Sequence, residues 1–151
     1  MGKHIWNRKS TKGNKAIFNS AESLWRAACE YFEWATENPL IEEKPMSIGG
    51  ELVMAQVRKP RVFTFAALCL DLDVNYSTYK RWREDETLAE ACEWIDNVIY
   101  TQKFEGAAAG LFNAGIISRD LGLDRYTEED SGNGGDIEIR VVRVSKNKDA
   151  D

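Results

Sequence analysis

The spacing of apolar residues predicts a mainly helical chain. Apolar positions recur every three or four residues between residues 19 and 38, which predicts a first helix with a broad buried face. Asn19 or Ser20 can cap its first turn, and Pro39 predicts its end. The same spacing predicts a long helix from about Glu86 to Lys103 and an apolar helical face over residues 111–121, with a C-cap at Gly122. The predicted stripe of the first helix is Leu24, Ala28, Tyr31 and Ala35, widened by Trp25, Cys29 and Phe32.

Two segments are predicted to be β-structure. Gly49 and Gly50 separate two extended runs within residues 44–58, which is typical of a hairpin because glycine accepts the positive φ of tight turns. A lone hairpin is marginally stable, so it must pack on helices or join a larger sheet. Ile137–Val144 is predicted to be a strand after the acidic linker 124–136, and a short tail ends the chain at residue 151. This strand pairs either with the hairpin or with its copies in other subunits, and the second arrangement predicts a closed oligomer.

Residues 64–84 have the order of a helix-turn-helix. A short apolar helix within 63–73 is followed by a turn at 73–75 and by a second short helix, residues 77–83, which is rich in basic side chains. These side chains either contact DNA phosphates or face water on a purely structural element. The residues alone leave both interpretations open.

Charge is distributed unevenly along the chain. The overall net charge is −5, but residues 1–19 contain five basic side chains and no acidic one, so the remainder carries −10. The basic arm, residues 1–18, indicates a polyanionic partner or a solvated leader. No run approaches the roughly 20 apolar residues of a membrane span, and no apolar stretch follows the basic start as in a secretory signal. The three cysteines, each in an apolar helical context, are expected to be buried, reduced thiols.

These patterns yield two sets of candidate residues. The candidates for DNA binding are Lys3, Arg8, Lys9, Lys12, Lys15, Arg58, Lys59, Arg61, Lys80, Arg81, Arg83, Lys146 and Lys148. The candidates for oligomerisation are Gly106, Gly110, Ile137, Ile139, Val141, Val142 and Val144. The two glycines are included because small residues let another backbone approach closely.

The sequence contains no recognisable catalytic motif. His4 is the only histidine and lies in the basic arm, and there is no CxxC pair and no P-loop. The acidic residues at 71, 73 and 84–86 are typical of solvated helix caps. We therefore expect no enzymatic activity, no cofactor, no metal and no small-molecule substrate.

Over residues 3–123 the chain is similar to a known family. The resemblance is carried by Phe18-x-Ser20-x-Glu22-x-Leu24-Trp25, by residues 29–34, by Asn38-Pro39-Leu40, and by residues 98–109 and 111–123. These motifs resemble the small subunits of terminases from short-tailed, headful-packaging phages of enterobacteria.

The resemblance implies an α+β fold in which residues 19–123 form a helical oligomerisation core. It implies a homo-oligomeric ring, with a nonamer favoured, whose subunits contribute the strand at 137–144 to an intersubunit tube. Such a ring recognises the packaging-initiation site on concatemeric double-stranded viral DNA. It recruits and regulates the large terminase subunit, which carries the ATPase and nuclease, in the host cytoplasm and without a membrane.

The chain departs from this family after Gly122. Family members carry a longer basic C-terminal tail implicated in binding DNA and the large subunit, whereas here Lys146 and Lys148 are the basic residues of a short tail. We therefore expect the arm 1–18 and the residues around 58–61 and 80–83 to carry more of the DNA binding. The alternatives are a dimeric helix-turn-helix transcriptional regulator and an assembly adaptor that binds only protein.

Overall fold

A computed structural model describes residues 4–7 and 18–123. It confirms the mixed fold, mainly helical with one antiparallel hairpin. The elements are a 3-10 turn at Ile5–Asn7, α1 (Ala21–Glu37), β1 (Leu40–Ile48), β2 (Glu51–Lys59), α2 (Phe65–Asp71), α3 (Tyr76–Trp82), α4 (Ala89–Ala108) and α5 (Ala114–Leu121). The predicted linker 124–136 and the predicted strand and tail at 137–151 lie outside the described residues.

Helix α1 follows its sequence pattern closely. Ser20 and Ser23 cap it reciprocally: the Ser20 hydroxyl accepts from the Ser23 backbone N–H at 3.1 Å, and the Ser23 hydroxyl accepts from the Ser20 N–H at 3.3 Å. The predicted stripe of four residues, from Leu24 to Ala35, is completely buried. The helix ends at Glu37, before Pro39, as predicted.

The hairpin is longer than predicted and stands away from the helices. Strand β1 begins at Leu40 rather than Lys44 and includes Pro45, which is tolerated because each strand of an isolated hairpin has one unpaired edge. The turn is at Gly49 and Gly50, with φ of +61° and +88°, as glycine at this position predicts. Nearly all of its side chains are exposed, and the few half-buried ones share one face. In the described part of the chain, the hairpin is therefore mostly exposed, and packing on helices, one of the two predicted ways to support it, covers little of its surface.

The helices pack around a core centred between α1 and α4. The chain returns from β2 through residues 61–63, which Gln102 of α4 fixes at two points: its amide donates to the Arg61 carbonyl at 2.9 Å and accepts from the Phe63 N–H at 3.0 Å. The Tyr31 hydroxyl also accepts from the Thr64 N–H at 3.2 Å. These bonds bring α2 onto α1 and α4.

Both predicted ends of the long helix were wrong. It begins at Ala89 rather than Glu86, because the Asp85 carboxylate accepts from two backbone N–H groups, at 2.8 and 3.2 Å, and closes a separate turn before the helix. It continues past Lys103 to Ala108, since Gly106 is buried where the Phe112 ring packs against the helix. The helix thus continues through a glycine, and an aromatic ring fills the space that a larger side chain would need.

The contacts that attach α5 and the residues before it to α4 include a ring and an ion pair. The Phe112 ring packs over Gly106, and the buried Lys103 Nζ donates to Asp120 at 2.6 Å. Gly122 caps α5 in the left-handed conformation, with φ of +69°, as predicted. The space beside Gly106 is occupied by a ring of the same chain, and its predicted role in oligomerisation stays a prediction.

The cysteines match their predicted environment in two cases. Cys69 and Cys92 are buried free thiols, and Cys29 is a half-buried free thiol. Burial raises the pKa of both buried thiols to about 11. At neutral pH they are therefore protonated and poorly nucleophilic, which agrees with a structural role.

Candidate DNA-binding surface

The predicted helix-turn-helix is present as α2, a turn at residues 72–75, and α3. The Thr64 hydroxyl caps α2 by accepting from the Ala67 N–H at 3.2 Å. The turn is closed by the Val74 N–H, which donates to the Cys69 carbonyl at 3.0 Å. Asp73 adopts a φ of +55°, a left-handed conformation that aspartate tolerates better than most residues. The reversal thus needs no glycine.

One face of α3 is exposed and combines basic, aromatic and hydroxyl side chains. It consists of Tyr76, Ser77, Lys80 and Arg81. The Lys80 ammonium lies 5.3 Å from the Tyr76 ring centroid, and Arg81 donates to the Thr78 hydroxyl at 3.4 Å. Cationic groups that neutralise phosphates, beside a ring and a hydroxyl that can contact bases or sugars, fit a nucleic acid. Lys80 and Arg81 were both predicted from the sequence, but Tyr76 and Ser77 were not. The pattern that could have indicated these two is their position one helical turn before the two cations.

The other face of α3 is fixed to α4 through Asp96. The buried Tyr79 hydroxyl donates to Asp96 Oδ1 at 2.9 Å, and burial raises the pKa of this tyrosine. Arg83 binds the same carboxylate at two points, Nε to Oδ2 at 2.8 Å and Nη2 to Oδ1 at 3.1 Å. This two-point pairing is strong and directional. Asp96 therefore sets the position of α3 on the body.

Arg83 is enclosed by aromatic rings as well as by its carboxylate partner. Its guanidinium lies 5.0 Å from the ring centroid of Tyr79 and 5.1 Å from that of Phe65. Its hydrogen bonds to Asp96 raise the pKa of Arg83, so the group is cationic at every working pH. Arg83 was predicted as a DNA contact, but in this structure its guanidinium is directed to Asp96 rather than to the exposed face.

The basic residues near the hairpin base have different environments. Lys59 forms an ion pair with Glu42 across the strands. The Arg61 Nε donates to the Asn38 carbonyl at 2.9 Å, and its guanidinium lies 5.1 Å from the Trp34 ring centroid. Arg58 is exposed on the face opposite Lys59. Of these three predicted DNA contacts, Arg58 and Lys59 are exposed, whereas Arg61 supports the attachment of the hairpin.

The described part of the N-terminal arm lies against the helix-turn-helix. Ile5 packs on the hydrophobic core, and its 3-10 turn contacts α2. The rings of His4 and Trp6 are stacked, with centroids 4.1 Å apart and planes 7° from parallel. Further along, Phe18 meets Trp82 of α3 edge-on at 5.5 Å. The basic, polar composition of the arm gives no sign of this Ile5 contact.

The other candidate residues lie outside the described part of the chain, and their predicted roles stay predictions. They are Lys3, Arg8, Lys9, Lys12, Lys15, Lys146 and Lys148 for DNA binding, and Ile137, Ile139, Val141, Val142 and Val144 for oligomerisation. Gly110 is described: it is exposed after α4, with a φ of +73° that favours glycine. Its conformation accounts for a glycine here without any intersubunit contact.

Residues 4–7 and 18–123 contain neither a candidate metal site nor a candidate membrane-spanning helix. Within those ranges, no group of three or more histidine, cysteine, aspartate or glutamate side chains could hold a metal ion. Among the same residues, no helix has both the length and the apolar character needed to cross a membrane.

Two comparisons with known proteins identify the family of this chain. Residues 13–129 match the family described as DNA-packaging protein gp3. The chain is also 42% identical over 147 residues to the terminase small subunit of Salmonella phage P22, an alignment covering 96% of this chain and 91% of that protein.

A match of this extent defines the class as viral DNA-packaging proteins, and the chain belongs to the gp3 DNA-packaging family. Its function is that of a terminase small subunit. The resemblance identified from the sequence motifs is thereby confirmed.

Proposed function

We propose that this terminase small subunit binds the packaging-initiation site of double-stranded viral DNA through the exposed face of α3. The observation that carries this proposal is the separation of charge on that helix. Lys80 and Arg81 face solvent, whereas Arg83 is held by Asp96. The inward pair fixes the helix and leaves two cations for phosphates, with Arg58 and the basic arm as additional contacts.

We further propose that the subunits form a closed ring, with a nonamer favoured, through which many weak DNA contacts act together. The outer end of the hairpin supports this arrangement, because both of its faces are apolar and exposed. One face carries Met46, Ile48 and Val53, and the opposite face carries Pro45, Leu52 and Met54.

A two-fold dimer that uses one face would leave the other apolar face in water. In a head-to-tail ring, each hairpin lies between two neighbours and both faces are covered. Neighbouring copies would also protect the unpaired strand edges, which otherwise favour uncontrolled association. A strand tube built from residues 137–144 belongs to the same proposal.

The ring would act in the host cytoplasm as a recruiting and regulating partner of the large terminase subunit, without catalysis of its own. The large subunit then supplies the ATPase and nuclease activities. Support for this division of labour comes from family membership and from the binding chemistry of α3, which offers contacts for DNA rather than a reaction centre.

The DNA-binding proposal is tested by replacing both exposed cations of α3, in the variant K80A/R81A. Binding of a fluorescent duplex is measured by anisotropy at several salt concentrations. Affinity should fall, and the slope of log K against log salt should become shallower by about two for each subunit that contacts the duplex, because each phosphate contact contributes roughly 0.9. Unchanged affinity and slope would exclude α3 as a DNA contact.

The matched control is R26A/R119A, which removes two exposed arginines outside the helix-turn-helix. This variant changes the net charge by the same amount. Both proteins should retain the assembly mass of the wild type. An equal loss in both variants would mean that net charge, rather than the position of the cations on α3, determines binding.

A further inference from the structure

The N-terminal turn contains an exposed aromatic pair that the fold alone does not explain. Trp6 is 64% exposed, although large aromatic side chains normally lose water contact on folding. His4 stacks on its ring, and Ile5 between them packs into the core. One residue therefore anchors the turn while its two neighbours face outward.

This anchoring fixes the aromatic pair beside the helix-turn-helix. The turn contacts α2, the first helix of that unit. Where the described chain resumes, Phe18 packs on Trp82 at the end of α3. Both described pieces that flank the basic part of the arm thus lie on the α2–α3 pair.

We infer that the His4–Trp6 pair and the exposed face of α3 form one DNA-contacting unit, with Ile5 as its positioning residue. The inference rests on the proposed DNA binding and specifies its surface. A flat indole and imidazole offer stacking or wedge contacts to bases and sugars, which complement the phosphate contacts of Lys80 and Arg81.

The role of Ile5 follows from the cost of ordering a chain on binding. A residue that is free before binding loses backbone entropy when it contacts DNA, and this loss weakens the complex. Ile5 keeps the turn ordered before DNA arrives. Releasing the turn should therefore weaken DNA binding without removing any charge.

The test uses the full-length chain and a random-sequence duplex of about 30 base pairs, followed by fluorescence anisotropy. The variants are I5S, which releases the anchor, W6A, which removes the exposed ring, and the double variant. The matched control is I116S, the same change at an isoleucine that is 66% exposed on α5. Because Trp6 is mostly exposed, W6A tests the site even if I5S perturbs the body.

We expect I5S and W6A each to weaken binding about tenfold. The double variant should also bind about tenfold more weakly, and not about a hundredfold, since both changes act through the same contact. I116S should stay within about twofold of the wild type. The salt slope of I5S should equal that of the wild type, because no phosphate contact is removed. If Ile5 only stabilised the fold and Trp6 made no contact with DNA, W6A would bind DNA with full affinity.

The possible outcomes distinguish this inference from the proposal that α3 binds DNA. If I5S and W6A bind as tightly as the wild type while K80A/R81A binds more weakly, the composite surface is wrong and binding through α3 stands. If the wild-type protein does not bind duplex DNA even at low salt, both are wrong. A tenfold loss in both single variants with an unchanged salt slope supports the composite surface.

Discussion

Replacing Gly106 with alanine tests how α5 is attached to the body. A Cβ at this position would overlap the Cδ2 and Cε2 atoms of the Phe112 ring and lie 3.1 Å from its Cζ. The ring would have to leave its place against α4. Overpacking of this kind costs about 1–3 kcal/mol.

A second effect opposes the first. Alanine is favoured over glycine inside a helix by about 1 kcal/mol. The steric cost should dominate, because the overlapping atoms belong to a ring held between α4 and α5 rather than to the end of a flexible chain. We expect G106A to lose about 1–2 kcal/mol of stability, which lowers Tm by roughly 3–6 °C in a protein of this size.

The assay is thermal unfolding followed by circular dichroism at a fixed protein concentration, since oligomerisation makes Tm depend on concentration. The decisive comparison introduces G106A into F112A. Without the ring, only the helix preference remains, so G106A should then stabilise by about 1 kcal/mol. The reasoning would be refuted if G106A raised Tm in the wild-type background, or if it changed Tm in the same direction in both backgrounds.

Three further results are expected. D96N should lower the stability measured by urea unfolding by about 2 kcal/mol, because the carboxylate that accepts from Arg83 and Tyr79 loses its charge; an unchanged midpoint would contradict this. The free energy of unfolding should fall between pH 9 and 11, because the thiols of Cys69 and Cys92 ionise there in the unfolded chain but are still protonated in the folded one. Constant stability of the wild type across this window would exclude the thiols as a cause. The same loss of stability after both cysteines are changed to alanine would exclude them as well. L52D should reduce the assembly mass, since it places a charge on an apolar face of the hairpin that is 77% exposed in the single chain, whereas T101D, an equal charge on exposed α4, should not.

Local patterns predicted α1 and the helix-turn-helix because their signals lie within a few residues of one another. The stripe of α1, its serine cap and its proline boundary are all visible in a window of about 20 residues. The same holds for the hairpin turn at Gly49 and Gly50. Its first strand was missed at Leu40 because the short apolar pair after Pro39 reads as the end of a loop.

Other features depend on tertiary contacts that no local pattern indicates. Arg83 reads as a phosphate contact within a basic helix, and only the packing of α3 on α4 brings Asp96 to it. The long helix was predicted to end at Lys103, and only the return of the Phe112 ring onto Gly106 accompanies its continuation to Ala108. Ile5 reads as part of a solvated arm, because its contact with α2 joins residues far apart in sequence. Local composition contains none of these contacts.

The central claim, that this terminase small subunit works as a ring, is tested most directly by native mass spectrometry of the purified chain. Each subunit has a mass of 17.1 kDa. The account predicts a single closed species of several subunits, with a nonamer favoured, because both apolar faces of the hairpin are then covered. A monomer or dimer would contradict the account: it would leave an apolar hairpin face in water and favour a dimeric helix-turn-helix regulator instead.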